Sequence, residues 1–78
     1  MTTTRTNSSP ALSESERGIA STRRALRALQ RQDYSAVDYH WNRAHRMAVS
    51  VGCQVGQSAA TVMTEWTNIV NAELLGEE

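Results

Sequence analysis

Between Tyr34 and Val51 the apolar positions Tyr34, Val37, Trp41, Ala44, Ala48 and Val51 step by three or four residues without a miss. A face that is apolar from end to end at this period belongs to a helix and is incompatible with a strand, whose side chains alternate at a period of two. The same spacing returns on both sides of this segment. From Ala11 onward there is no further Pro and no alternating run beside a hairpin dipeptide, so the sequence predicts an all-α chain. Seventy-eight residues hold one small domain, and a chain this short hides only about 60% of its unfolded surface on folding. The expected architecture is a three-helix bundle, a helical hairpin plus a third helix, over residues 11–78. Residues 1–10 are read as a disordered tail, because four Thr, two Ser, Asn7 and Arg5 show no apolar periodicity and cannot offset the entropy of ordering.

The helix ends carry their own signals. Ser13-x-x-Glu16 has the form of a capping box, so the first helix is expected to open at Ser13 and to end near Arg31. Its apolar stripe is expected to run through Leu12, Ile19 and Leu26, with Thr22, Ala25 and Leu29 beside it. Ser35-x-x-Asp38 repeats the capping pattern and places the second helix from about Ser35, with Tyr34 stapled against its first turn. Gly52 and Gly56 each read as a helix stop or left-handed turn. Ser58 is placed to cap a third helix with Ala59, Val62, Met63, Trp66, Ile69 and Val70 on one stripe, ending at a left-handed Gly76. Trp41 and Trp66, at the centres of their stripes in a chain without Phe, are both expected in the core.

Cysteine and charge narrow the function classes. The single Cys53 rules out an internal disulfide and a Cys-rich zinc site and fits a reducing compartment, where it is read as a small buried hydrophobe in a turn. His40 and His45 are five residues apart, too far around a helix to share a metal, and no phosphate loop or nucleophile–base set is present. The expectation is therefore a non-enzyme with no metal and no cofactor. No apolar run approaches the roughly 18–20 residues of a membrane span, so a cytoplasmic protein without membrane attachment is expected. Eight Arg and no Lys beside 10 Ala match the coding bias of a GC-rich bacterial or phage genome.

Net charge is zero, but its distribution is not even: residues 1–46 carry +4 and residues 47–78 carry −4. Arg17, Arg24 and Arg31 repeat at seven on one helix face with Arg27 beside them, and Tyr39, Arg43 and Arg46 fall on the outer side of the second helix. Guanidinium forks match carboxylates and phosphates alike. These seven residues are the expected partner-binding surface, and an acidic protein is the expected partner. Only 18 Val, Ile, Leu, Met and Trp are available, so a homo-oligomer, formed through the second or third helix, is expected to cover apolar flanks left by a thin core.

Two stretches resemble known motifs. Gly56-Gln57-Ser58-Ala59-Ala60-Thr61-Val62 followed by Trp66 resembles the turn and recognition helix of a helix-turn-helix DNA-binding domain. That resemblance implies a transcriptional regulator in which Gln57, Ser58, Ala60, Thr61 and Thr64 face the major groove. Nucleic acid ranks below an acidic protein as a partner, because Glu65 and Glu73 lie on the helix that would enter the groove. Asp33-Tyr34 with Val37, Trp41 and Ala44, preceded by Ala25 and Ala28, is similar to one tetratricopeptide repeat. A single repeat cannot bury its own faces, and a hairpin completed by a third helix accounts for the same residues.

Overall fold

The structure, a computed structural model, describes residues 10–77, with side chains from Glu14 onward. Residues 1–9 of the expected 1–10 tail and the side chains of Leu12 and Ser13 lie outside the described range, while Pro10, expected in the tail, is the first residue of a helix. Three helices are present, α1 Pro10–Gln30, α2 Tyr34–Val55 and α3 Ala59–Gly76, and no strand occurs among the described residues.

The first helix begins three residues before the expected Ser13, which corrects the capping-box reading. Pro suits a first helical turn, where its fixed φ is already helical and its missing N–H has no partner to lose. At the other end Gln32 adopts φ 61, and the Asp33 N–H reaches back 2.9 Å to the Ala28 carbonyl while the Gln32 N–H bonds that of Leu29 at 3.0 Å. This closed turn leaves α2 to start at Tyr34, with the Asp33 carboxylate accepting from the Ala36 N–H. Asp33, not Ser35, is the cap. Its negative charge also faces the positive end of the helix dipole. The shift moves Tyr34 into the helix's exposed first turn, so it does not act as a staple.

Gly56 is left-handed, at φ 76, and ends α2 by donating its N–H to the Gly52 carbonyl. Gly52 itself stays helical and buried, which corrects its reading as a second stop. A Cβ on Gly52 would collide with the Gln57 carbonyl, so this glycine lets the turn fold tightly onto the helix. Ser58 caps α3 as its sequence position implied, accepting from the Thr61 N–H at 3.1 Å. Gly76 remains helical, and the cap beyond it is Glu77 in right-handed geometry. Cys53 is exposed within α2 instead of buried in a turn.

α1 and α2 pack as an antiparallel hairpin, shown by Glu14 near the start of α1 accepting from Ser50 and Gln54 near the end of α2. The α1 face that is buried consists of Gly18, Ser21, Thr22, Ala25 and Ala28. Ala44, Ala48, Val51 and Gly52 are the buried residues of α2. Small residues on both sides of a helix contact allow a short separation of axes, and they displace the expected leucine stripe to the flanks: Ile19 and Leu26 are half-buried and Leu29 is exposed. The Thr22 hydroxyl, buried here, is satisfied by donating to the Gly18 carbonyl at 2.9 Å.

α3 completes the core with Val62, Met63, Trp66 and Val70. Trp66 is only 4% exposed, and its six-membered ring occupies the space where Gly18 lacks a side chain; a Cβ on Gly18 would overlap that ring. Trp41 differs. It is 36% exposed although it continues the stripe of Ala44, Ala48 and Val51; no glycine on a facing helix makes room for its ring as Gly18 does for Trp66. Ile69, expected in the core, is likewise exposed.

Trp66→Ala should therefore cost about 3–5 kcal/mol, and Trp41→Ala clearly less, in urea melts followed by circular dichroism. Equal losses would contradict the assigned positions. Gln32→Gly should raise stability by about 1 kcal/mol, since it removes the steric cost of a left-handed non-glycine residue.

Candidate arginine docking surface

The arginines of α1 separate into two groups. Arg23 donates from Nε to Glu73 Oε1 at 2.8 Å and from Nη2 to Oε2 at 3.1 Å, a paired geometry that matches guanidinium to carboxylate. Arg27 forms an ion pair with Glu77 one turn further on. Both contacts join residues fifty apart in sequence, so α3 runs parallel to α1 and back along the hairpin. Among the described residues these are the two ion pairs.

Arg17, Arg24 and Arg31 are exposed and lie elsewhere on the helix. Each residue advances about 100°, so Arg24 is turned away from its neighbour Arg23 and from α3. Glu14 marks the α2-facing edge of α1 through its bonds to Ser50 and Gln54. Arg17 sits one turn beyond Glu14, and Arg24 and Arg31 continue the row at intervals of seven. Ser50 marks the matching edge of α2. Arg46 and Arg43 precede it by four and seven residues, with Tyr39 four before Arg43, so all three share its side of the helix. The two rows flank the α1–α2 seam on the face opposite α3. Of the seven sequence-selected partner residues, this surface brings together Arg17, Arg24, Arg31, Tyr39, Arg43 and Arg46, while Arg27 is engaged with Glu77.

Tyr39 is the aromatic element of the surface. The Arg43 guanidinium lies 5.8 Å from its ring centroid, within the range of a cation–π contact. The His40 ring meets Tyr39 edge-on at 5.1 Å, and His40 Nδ1 is buried with no hydrogen-bond partner. No three His, Cys, Asp or Glu side chains come together among the described residues, and no described helix is long and apolar enough to cross a membrane.

The residues that the helix-turn-helix resemblance selects are all exposed around the start of α3, but their hydroxyls have local partners. Ser58 and Thr61 bond each other at 3.0 Å, and Thr64 donates to the Ala60 carbonyl at 2.9 Å. The side-chain charges of α3 are Glu65 and Glu73, with Glu77 at its cap. The hairpin thus carries the described arginines that are outside the two ion pairs, together with Glu14, Glu16, Asp33 and Asp38, while on the α3 side Glu73 and Glu77 are paired and Glu65 is not. Sequence reasoning missed the Arg23–Glu73 pair; its available signal was the equal four-residue spacing of Arg23 and Arg27 and of Glu73 and Glu77. No known protein family, curated protein or solved structure matches this chain.

Hydrogen bonding from Arg23 holds the Glu73 carboxyl below its ordinary range, and Glu73 in turn raises Arg23. A depressed carboxylate adds stability at pH values above its unfolded pKa, and that contribution is lost as pH falls through the lower folded value. In acid titrations below about pH 4.5, Glu73→Gln should flatten part of the stability loss seen in the parent chain. An unchanged acid limb would show that the pair does not persist in solution.

Proposed function

We propose that this is a small non-enzymatic binding protein that acts as a regulator by docking the arginine face of its α1–α2 hairpin onto an acidic protein surface. The observation that carries the reading is the division of the arginines. Arg23 and Arg27 are paired with carboxylates of α3 and its cap, whereas Arg17, Arg24, Arg31, Arg43 and Arg46 stand exposed in two rows on one face. Five guanidinium groups outside the two ion pairs, against the single Glu14 carboxylate on the same seam, create a local positive field that attracts an anionic partner. Arg and Tyr are also residue types enriched in protein interfaces, and Tyr39 lies within this surface. An acidic protein is favoured over a duplex because the helix a DNA reader would insert bears Glu65 and Glu73 and no arginine.

The test uses an acidic polypeptide and a pool of random DNA duplexes, each titrated by fluorescence anisotropy at roughly 50 and 200 mM salt. The expected result is saturable binding of the acidic polypeptide. Changing Arg17, Arg24 and Arg31 together to Glu should abolish it without altering helicity. The duplexes should bind weakly and without sequence preference. Binding of the acidic polypeptide unaffected by the triple change would return this face to ordinary solvated surface. A selected duplex bound in the nanomolar range and lost on Thr61→Ala with the fold intact would establish the DNA-binding alternative instead.

A further inference from the structure

At the end where α1 stops, α2 starts and α3 stops, large apolar side chains face solvent. Tyr34 is 63% exposed and Leu75 is 71% exposed, and Leu29 and Trp41 are also open. Their common location follows from the connections. A three-residue turn joins Leu29's helix to Tyr34, the Arg27–Glu77 pair fixes the end of α3 to the end of α1, and Gln30 lines a shallow groove of about 340 Å³ with Asn71, Leu74 and Leu75. Tyr34, Val37 and Trp41 extend the buried stripe of α2 outward by two turns. A stripe continuous with the core and crowned by tyrosine and tryptophan has the composition of an interface centre.

We infer that this end is where two copies of the chain associate, with a two-fold axis placing the Tyr34–Trp41 stripe of each against the apolar end of the other. Residues 1–9 do not have the composition to cover it: they hold six hydroxyl residues and a single large apolar one, Met1. A second copy fits better, because a two-fold interface must be complementary to itself. The rim meets that condition. Asp33 and Asp38 flank the α2 stripe, and Arg31 lies in the turn that precedes it, so doubling the patch brings charges of both signs to the rim. Zero net charge removes long-range repulsion between copies.

The test is sedimentation equilibrium of the full chain from about 1 to 200 μM, the range that brackets a micromolar dimer. The wild-type chain should pass from monomer to dimer over this range. Tyr34→Asp and Leu75→Glu alter side chains that are mostly in solvent and should leave helicity unchanged, and each should weaken the dimer at least about tenfold. Trp41 emission should shift to the blue as the chain is concentrated, and Trp41→Phe should remove that shift, since Trp66 is buried in either state. A chain that stays monomeric at the highest concentration overturns the inference. So does a dimer that survives Tyr34→Asp with Leu75→Glu unchanged. None of these variants touches an arginine, and only Arg31 at the rim is shared with the hairpin face, so loss of the dimer and loss of acidic-partner binding are read from different substitutions.

Discussion

Trp66 seated on Gly18 is the contact on which the placement of everything else depends. The chain has no Phe and only two Trp, so this indole is the largest apolar group available to its core, and it reaches α1 only because one residue there has no side chain. Once the ring is seated, the parallel course of α3 along α1 brings Glu73 to Arg23 and Glu77 to Arg27 one and two turns later. Those pairs are exposed and contribute little by themselves. Their larger effect is on charge: they neutralise the α3-facing arginines of α1 and leave the α2-facing row as the basic surface.

The same use of small residues explains why the large side chains near the α1–α2 turn stay in solvent. Gly18, Thr22 and Ala25 on α1 and Ala44, Ala48 and Gly52 on α2 bring the helices together where α3 supplies Val62, Met63 and Trp66. Toward Tyr34 the side chains grow larger while α3 contributes Ile69 and Leu75 to its outer surface instead of its inner one. Trp41 and Leu29 are left half covered in consequence. The apolar end and the arginine face are thus two outcomes of one packing arrangement.

Much of this was legible in the sequence. Three helices, the Ser58 cap, the left-handed Gly56 and the buried stripe of Val62, Met63, Trp66 and Val70 all follow from spacing and turn chemistry, because those signals are local. Trp41 and Ile69 were misplaced for different reasons: Trp41 continues the inward stripe but no neighbouring helix covers it fully, whereas three-residue spacing put Ile69 on the stripe and the buried face turns instead through Val70. Gly18 illustrates the limit most clearly. Within α1 it reads as a mild defect in a helix, and only the position of Trp66, 48 residues later in the chain, shows it to be a seat. The exposed row of Arg17, Arg24 and Arg31 was visible as a heptad. Its separation from Arg27 required the third helix to be in place.

The most direct test of the Trp66–Gly18 contact is a double-mutant cycle in urea unfolding. Gly18→Ala in the native background should destabilise by about 1–3 kcal/mol, because the added methyl overpacks against the indole. In a Trp66→Leu background the ring is gone, and the same change should become neutral or stabilising by up to about 1 kcal/mol, the helix preference of Ala over Gly. A reversal of sign between the two backgrounds is the result this account predicts. An equal effect of Gly18→Ala in both would contradict it, and would mean that α3 is held on α1 by something other than this contact.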